Sequence, residues 1–567
     1  MSIRIALDHQ PEFYTNLDHV KGRVILGLNR AEQVGSIVVK LEGESVTALQ
    51  VPNPYEAEMP GRLAGPLPGP PGSVVGENHK ILYKVQQVFP DEYHSSTSSP
   101  YGAFPLQPGE HEFPFKFKLA INNACSDPMA MSRIGGLGGV GGFASGGGLF
   151  GMGGVRVMDG SKQLFLKHVT RTLPPSLTGY PMEAEIRYYI KVTVQRPGFL
   201  KENWRYQIGF KFLPIEPPRP AVTGQEAFAR RPFTFRPRSP MQPERKRSSF
   251  FPRKAEAGGG GGDKSAAGDA APSLDSPNVV PAPSMEMSAR LPHPPVFTCN
   301  QPVPLRLIAK KVVNCPEQVH LVSFQMDLIG ITEVRSHNIF NKKINRWVVV
   351  ANAELNIPLT SSPQDPVGKE LVVPDELWKN KPLPNTVAPS FAACNLSRRY
   401  ELEIKLGLSW GKPMTGLPSK DPLAQAQTIF LPLHFTQVEV YSGITPPPEL
   451  VEASRITWPG RATVNIPPRL PPRTSISGAS APARPPQPQN QAPPMPPHPP
   501  QDPLYPPQLA PGLAPGQSAP PYDEAPPSYD EAMAENLSGP FDGLRPRPAY
   551  SGVTNENAPS QMPPGKS

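Results

Sequence analysis

Apolar and polar residues alternate along much of this chain, most clearly between Leu173 and Pro214. A period of two places successive side chains on opposite faces of a β-strand. Pro197 and Gly198 interrupt the alternation and favour a turn. The pattern predicts two antiparallel strands with one face directed at a core. The apolar faces are Ile186, Tyr188, Ile190, Val192 and Val194 in the first strand, and Trp204, Tyr206, Ile208, Phe210 and Phe212 in the second.

The same alternation recurs before and after this pair of strands. It is present in residues 2–49, 81–85 and 113–119 and resumes in residues 303–328, 402–408 and 429–441. Strand patterns in nearly every apolar run predict an all-β protein with negligible helix. We therefore expect two β-sandwiches, formed by residues 1–216 and 296–445.

Composition divides the remaining chain into three low-complexity segments. The 567 residues include 81 prolines and 48 glycines, and only 38% are hydrophobic. Such segments cannot bury enough apolar surface to offset the loss of chain entropy, so they favour disorder. We expect a disordered glycine-rich insertion at 126–154, a disordered basic, glycine- and proline-rich linker at 217–295, and a disordered proline-rich tail at 446–567.

Several strings within the strand patterns resemble the arrestin family, in its fungal α-arrestin branch. Near the amino terminus, Val20, Gly22 and Val24 match a V-x-G-x-V strand, and SIVVKLEG matches the next one. PGEHEFPFKFKL, LPPS, IRYYIKVTV, RPG and FKFLP follow in the family's order, and YELEIKLGL and FLPLHF occur late in the second block. The resemblance implies two arrestin-type immunoglobulin-like β-sandwich domains. The glycine-rich insertion and the long linker depart from the family pattern.

The sequence carries no persuasive catalytic or metal-binding arrangement. The four cysteines Cys125, Cys299, Cys315 and Cys394 are far apart, and no pair has the spacing of metal ligands. The histidines are scattered, and no lysine follows a glycine of the glycine-rich run as a phosphate-binding loop requires. We therefore expect a protein that is not an enzyme, with no cofactor and no metal site.

Net charge, cysteine content and the search for targeting segments together indicate the cellular compartment of the protein. The net charge of +8 is modest for this length, and sparse cysteines favour a reducing compartment. The first residues lack the basic stretch and apolar run of a secretory signal, and no run of about twenty apolar residues occurs. We expect a cytoplasmic protein, and the family resemblance implies recruitment to the plasma membrane and endosomes.

The tail contains the string Pro526-Pro527-Ser528-Tyr529, a P-P-x-Y ligand of the kind that WW domains bind. Adjacent prolines hold a polyproline II conformation before binding, so little entropy is lost on docking. A proline-rich tail produces such strings occasionally by chance, but the resemblance implies this motif behind the second domain. The motif lies about 88 residues beyond Tyr441, and a flexible chain of that length spans roughly 50 Å.

Three functions remain open at this point. The resemblance implies an adaptor that links a WW-domain HECT-type ubiquitin ligase to cytosolic segments of membrane transporters or receptors, and that leads to ubiquitylation of cargo and of its own lysines. A retromer-like coat subunit would share the double sandwich without needing the tail. A polyproline scaffold for SH3 or WW proteins would not need the sandwiches.

The linker adds a second candidate site. Its basic residues are interleaved with Phe233, Phe235, Phe250 and Phe251, a composition that fits either a solvated linker or a segment that contacts an anionic membrane. Ser248 and Ser249 follow basic residues, which predicts phosphosites that could recruit a phosphoserine-binding protein. Nucleic acid is not an expected partner, because no nucleic-acid module accompanies the basic residues. The basic residues are Arg230, Arg231, Arg236, Arg238, Arg245, Lys246, Arg247, Arg253 and Lys254.

Overall fold

A computed structural model describes residues 1–53, 68–90, 103–127, 166–180, 182–198, 201–221, 223–237, 282–411, 427–457, 536–542, 545–552 and 556. Almost all regular structure in these ranges is β-strand, which confirms the all-β expectation. Among these residues, no helix has the length and apolar character needed to cross a membrane.

The first domain is a sandwich of two main sheets. A three-stranded sheet has the order β1-β2-β7, and a five-stranded sheet has the order β10-β9-β4-β5 with β8 against β9. Strands β3 and β6 form a separate pair. The strands are β1 (Ser2–Leu7), β2 (His19–Leu28), β3 (Glu32–Val34), β4 (Ser36–Gln50), β5 (Val74–Phe89), β6 (Phe104–Leu106), β7 (Gly109–Lys118), β8 (Leu177–Tyr180), β9 (Ala184–Gln195) and β10 (Trp204–Phe210).

The predicted antiparallel pair is present as β9 and β10. Trp204 pairs with Val194, and Phe210 pairs with Tyr188, so the register runs the length of β10. The apolar face predicted for β9 is buried along its whole length. Burial of that face supplies the main favourable free energy for the sandwich, because apolar area is removed from water.

The second domain is a sandwich of a four-stranded and a seven-stranded sheet. The orders are β11-β12-β14-β18 and β13-β21-β20-β15-β16, with β17 against β15 and β19 against β20. The strands are β11 (Glu226–Thr234), β12 (Ser284–Pro292), β13 (Val296–Thr298), β14 (Arg306–Lys311), β15 (Val319–Ser336), β16 (Ile339–Asn352), β17 (Ile357–Pro358), β18 (Glu370–Val372), β19 (Phe391–Ala392), β20 (Leu396–Trp410) and β21 (Gln427–Tyr441).

The boundary of the second domain differs from the sequence expectation. Strands β11 and β12 lie inside residues 217–295, which composition had assigned to a disordered linker. They pair antiparallel from Glu226 with Pro292 to Thr234 with Ser284. Alternate side chains of both strands, including Phe233 and Met287, enter the core of the second domain. This short alternation was missed because the neighbouring tracts are rich in proline and glycine, and the composition of the whole range predicted disorder.

The expected disordered tail also needs correction. Residues Pro448–Thr457 form a ten-residue helix, α1, directly after the second domain. Residues 536–542, 545–552 and 556, here called the return segment, lie against the folded body. Phe541 and Tyr550 pack with Phe13, Ile215 and Ile444 in a small apolar cluster. These few apolar residues are buried because both domains provide apolar contacts: Phe13 and Ile215 belong to the first domain, and Ile444 follows the last strand of the second.

Candidate functional site at the seam between the domains

The two domains share a continuous apolar contact, here called the seam. The end of β15, the start of β16 and the β19–β20 turn approach β4 and β5 of the first domain. Val334, Ile339, Ala388 and Leu396 of the second domain belong to the same buried cluster as the core of the first. The seam therefore excludes water and strengthens the polar contacts inside it.

A polar hub crosses the seam beside this apolar contact. Asn395 donates from Nδ2 to the Ser45 carbonyl oxygen and to Thr47 Oγ1, both at 3.1 Å, and its Oδ1 accepts from Ser45 Oγ at 2.6 Å. Thr47 Oγ1 donates to the Arg335 carbonyl oxygen at 2.7 Å. These groups are buried, so each lost partner would leave an unsatisfied polar group.

An ion pair between Glu77 and Arg335 completes the hub. Arg335 Nη2 lies 2.8 Å from Glu77 Oε1 and also donates to the Cys394 carbonyl oxygen at 2.6 Å. The Glu77 side chain is fully buried and the Arg335 side chain is 14% exposed. Burial raises the pKa of Glu77, but hydrogen bonds from His79 and the His337 backbone, together with Arg335, outweigh that effect and lower it. The polar hub is therefore Ser45, Thr47, Glu77, Arg335 and Asn395.

Next to the hub, four histidine and cysteine side chains converge. His79, Cys125, His168 and Cys394 each offer one ligand atom, and these four atoms lie within 4.8 Å of one another. The two sulfur atoms are 3.3 Å apart, and Cys394 Sγ is 4.0 Å from His168 Nδ1. The expectation that histidines and cysteines are scattered is therefore wrong for these four in three dimensions, whereas the expectation of no metal site stays a prediction. Their sequence separations gave no signal, because the fold alone brings them together.

The electrostatics of the cluster differ between its two thiols. The hydrogen bond between the two sulfur atoms and burial raise the pKa of Cys125. The hydrogen bond with Cys125 and the nearby His79 ring lower the pKa of Cys394 to about 3, although burial acts in the opposite direction. The arrangement therefore favours a thiolate at Cys394.

The return segment spans the seam at a different place from the hub. Glu556 Oε1 lies 3.0 Å from Arg398 Nη2 of the second domain, and the Glu556 carbonyl oxygen accepts from the Thr178 backbone of the first at 2.8 Å. The Arg398 side chain is fully buried. Arg547 Nη2 lies 3.0 Å from Asp18 Oδ2. The segment thus contacts both domains through charged side chains.

A buried charge network lies behind the hub in the sheet of the first domain. The Lys80 ammonium donates to the carboxylates of Glu42 and Glu44, and Tyr189 Oη lies 2.7 Å from an oxygen of each carboxylate, so its single hydrogen is donated to one or the other. Arg187 Nη2 lies 3.1 Å from Glu44 Oε2. Burial raises the pKa of Glu44, but the charges of Lys80 and Arg187 dominate and lower it to about 2. Glu44 directly precedes Ser45, so this network supports the hub from within β4.

The site residues predicted from sequence lie mostly elsewhere. Pro526, Pro527 and Tyr529 fall outside the described residues, as do Ser248 and Ser249. Arg230, Arg231 and Arg236 are exposed, which leaves them accessible to an anionic surface. The other predicted membrane residues lie outside the described ranges: Arg238, Arg245, Lys246, Arg247, Arg253 and Lys254.

The predicted role of two linker aromatics is wrong. Phe233 and Phe235 were expected beside the basic residues as groups that insert into a membrane interface. They are 9% and 2% exposed and belong to the core of the second domain. The Phe235 ring lies 6.0 Å from that of Trp410. The alternation of β11 directs Phe233 inward and continues just beyond the strand to Phe235, whereas Arg230 and Arg236 remain exposed.

Comparisons with known proteins agree with this fold. Residues 3–140 match the family model described as the arrestin (or S-antigen) amino-terminal domain. Arrestin-related trafficking adapter 10 of Lachancea thermotolerans is 30% identical over 127 residues, which is 22% of this chain. That alignment covers 28% of the relative's own length.

Proposed function

We propose that the chain is a member of the arrestin family, in its fungal α-arrestin branch, and that it is a trafficking adaptor for membrane proteins; the match to the arrestin amino-terminal domain and to an arrestin-related trafficking adapter supports this. It recruits a WW-domain HECT-type ubiquitin ligase to transporters or receptors, whose ubiquitylation leads to endocytosis. The observation that carries the proposal is the P-P-x-Y string, which lies a few residues before the point where the return segment docks on the two-domain body.

The position of the return segment changes the expected geometry of recruitment. Tyr529 lies seven residues before Asn536, where the return segment begins. Seven residues of fully extended chain span at most about 25 Å. The next residue, Leu537, accepts a hydrogen bond from Lys118 Nζ at 2.6 Å through its carbonyl oxygen. A ligase bound at Tyr529 is therefore held much closer to the first domain than a free 88-residue tether would hold it.

An exposed edge strand of the second domain supports a role in protein recognition. Strand β16 pairs with β15 on one side and has no strand of the described residues on its other side. Phe340, Ile344 and Val348 on this strand are 61%, 68% and 57% exposed. An open edge with exposed apolar side chains can accept an extended peptide as an added strand. A cytosolic tail or loop of a membrane protein has that form.

The test replaces Tyr529 in the full chain and measures binding to a tandem WW fragment of a HECT-type ligase by calorimetry. Tyr529→Ala removes the ring that fills the tyrosine pocket, so we expect a loss of at least about 2 kcal/mol, or roughly thirtyfold in affinity. Cargo ubiquitylation in cells should fall with it.

The matched control is Tyr522→Ala. Pro520-Pro521-Tyr522 has the same composition but lacks the spacer residue, so its substitution should leave affinity unchanged. Equal binding of wild type and Tyr529→Ala would overturn recruitment through this motif. Unchanged cargo ubiquitylation despite lost WW binding would overturn the adaptor role while leaving the motif intact.

A further inference from the structure

The cluster of His79, Cys125, His168 and Cys394 is assembled from four separate parts of the fold. His79 lies on β5, Cys125 follows β7, and His168 precedes β8, all in the first domain. Cys394 lies in the turn between β19 and β20 of the second domain. The cluster is buried, except for a half-buried His168, and it straddles the seam beside the polar hub.

The ligand types and their spacing fit one metal in particular. Two cysteines and two histidines are a common ligand set for tetrahedral Zn²⁺, with Zn–S near 2.3 Å and Zn–N near 2.0–2.1 Å. In a tetrahedron those bond lengths place two sulfur ligands about 3.8 Å apart and a sulfur and a nitrogen ligand about 3.6 Å apart. The Sγ–Sγ distance of 3.3 Å and the Sγ–Nδ1 distance of 4.0 Å each lie about half an ångström from these values, so small side-chain shifts would complete the tetrahedron. Magnesium and calcium are poor candidates because they prefer oxygen ligands.

The surroundings of His79 provide an independent indication. Its Nε2 lies 2.6 Å from Glu77 Oε1, whereas its buried Nδ1 makes no hydrogen bond of good geometry with the described residues, although the ring interacts electrostatically with Cys394. A buried nitrogen without a well-formed hydrogen bond is unfavourable, so a further ligand at Nδ1 would stabilise it. A carboxylate on the far nitrogen is the arrangement that orients histidine ligands towards zinc. Nδ1 is therefore the free lone pair that a metal would use.

Further contacts suit thiolate ligands. The Val169 backbone N–H donates to Cys394 Sγ at 3.4 Å, and Asn123 Nδ2 donates to Cys125 Sγ at 3.5 Å. Two thiolates and two neutral imidazoles balance the charge of one Zn²⁺, and Glu77 is separately balanced by Arg335. A buried site without net charge avoids the large cost of an uncompensated ion.

We propose that His79, Cys125, His168 and Cys394 bind one structural zinc ion that joins the two domains. Four protein ligands close the coordination sphere, which is typical of structural rather than catalytic sites. The ion ties three ligands of the first domain to one of the second, so metal binding holds the seam closed. This property is independent of ligase recruitment.

The first measurement is the metal content of the untagged, reduced full chain after expression with added zinc. We expect about one zinc per chain by elemental mass spectrometry, and near zero for Cys394→Ser. The matched control is Cys315→Ser, because Cys315 is also a buried free cysteine but lies outside the cluster. It should retain the full zinc content.

The second measurement uses the wild-type chain alone, so it does not depend on the folding of a variant. Replacing zinc by cobalt should produce thiolate-to-cobalt charge-transfer absorption and the visible bands of a tetrahedral cobalt centre. Removing zinc with a strong chelator should lower the melting temperature, and zinc but not magnesium should restore it.

Three results would overturn the proposal. One is a folded wild-type chain without zinc that gives no tetrahedral cobalt spectrum. Another is an equal zinc content in wild type and Cys394→Ser. The third is a disulfide between Cys125 and Cys394 in the freshly isolated chain, which would require the sulfur atoms to approach from 3.3 Å to about 2.0 Å and would remove both thiolates.

Discussion

The polar hub and the return segment both hold the two domains together, but they do so with different parts of the chain. Every hub residue lies in a strand or a tight turn that is fixed by the core of its own domain. The return segment follows the second domain after residues 458–535 and contacts the body through residues outside any strand, among them Leu537, Phe541, Arg547 and Glu556. Loss of the hub therefore requires rearrangement of the domains, whereas the return segment can leave with both domains folded.

The two contacts also differ in how firmly their charged groups are held in position. In the hub, Glu77 is fully buried and its hydrogen bonds come from groups with fixed positions. In the return segment, the side chains of Arg398 and Glu556 are also buried, at 0% and 7% exposure. Glu556 is not part of a strand, however, so its carboxylate can leave without a rearrangement of either domain, and water can then reach Arg398. We therefore expect the ion pair of the hub to be worth more.

The largest expected effect is that of Arg335→Ala. It leaves the buried Glu77 carboxylate without its charge partner, which costs about 3–5 kcal/mol for pairs removed from water. We expect a lower urea midpoint and a loss of cooperativity between the domains in calorimetry.

The control for this variant is Arg4→Ala. Arg4 pairs with Glu110 across two strands, but both side chains are more than half exposed. Exposed pairs contribute about 1 kcal/mol at most. If the two variants shifted the urea midpoint equally, the hub would not be the stronger contact.

The second effect is a dependence of stability on acid pH. Glu44 has its pKa lowered from 4.5 to about 2 in the folded chain. An acid with a lowered pKa stabilises the fold above its unfolded pKa, and that contribution is lost as the pH falls from about 4.5 towards 2. Between pH 4.5 and pH 3 the loss should be on the order of 2 kcal/mol, because each pH unit over which only the unfolded chain binds the proton costs about 1.4 kcal/mol.

Urea titrations between pH 6 and pH 3 provide the measurement for this effect. Glu44→Gln should be less stable at pH 6 and should show a flatter profile over the acid range. A profile as steep as that of wild type would assign the acid sensitivity to other carboxylates.

The smallest expected effect is that of Glu556→Gln. Arg398 keeps its hydrogen bonds to Thr332 and Tyr180, and water can enter as the segment lifts. We expect a loss of only about 1–2 kcal/mol, with faster amide exchange in residues 545–552 and unchanged exchange in the strands of both domains.

Glu449→Gln is the control for this change, because Glu449 is an exposed acidic residue of α1. It should leave amide exchange in the return segment unchanged. Faster exchange throughout both sandwiches in Glu556→Gln would show that the segment and the domains form one cooperative unit, which would contradict the distinction drawn from the hub.

Local alternation was sufficient to predict the sandwiches. Residues such as Ile186 and Val192 face a core because strand geometry has a period of two, and this needs no knowledge of distant residues. Composition was a poorer guide. It predicted disorder across residues 217–295, where β11 and β12 carry short alternating patterns between proline and glycine tracts.

The β-sandwich class, the resemblance to arrestins and the P-P-x-Y string can all be recognised in the amino-acid sequence, because each depends on residues close together in the chain. The seam becomes visible only in the folded protein. Ser45 meets Asn395 across 350 positions, Arg398 meets Glu556 across 158, and Cys125 meets Cys394 across 269. No local pattern encodes such pairs, because their proximity results from how the two domains and the return segment pack against one another.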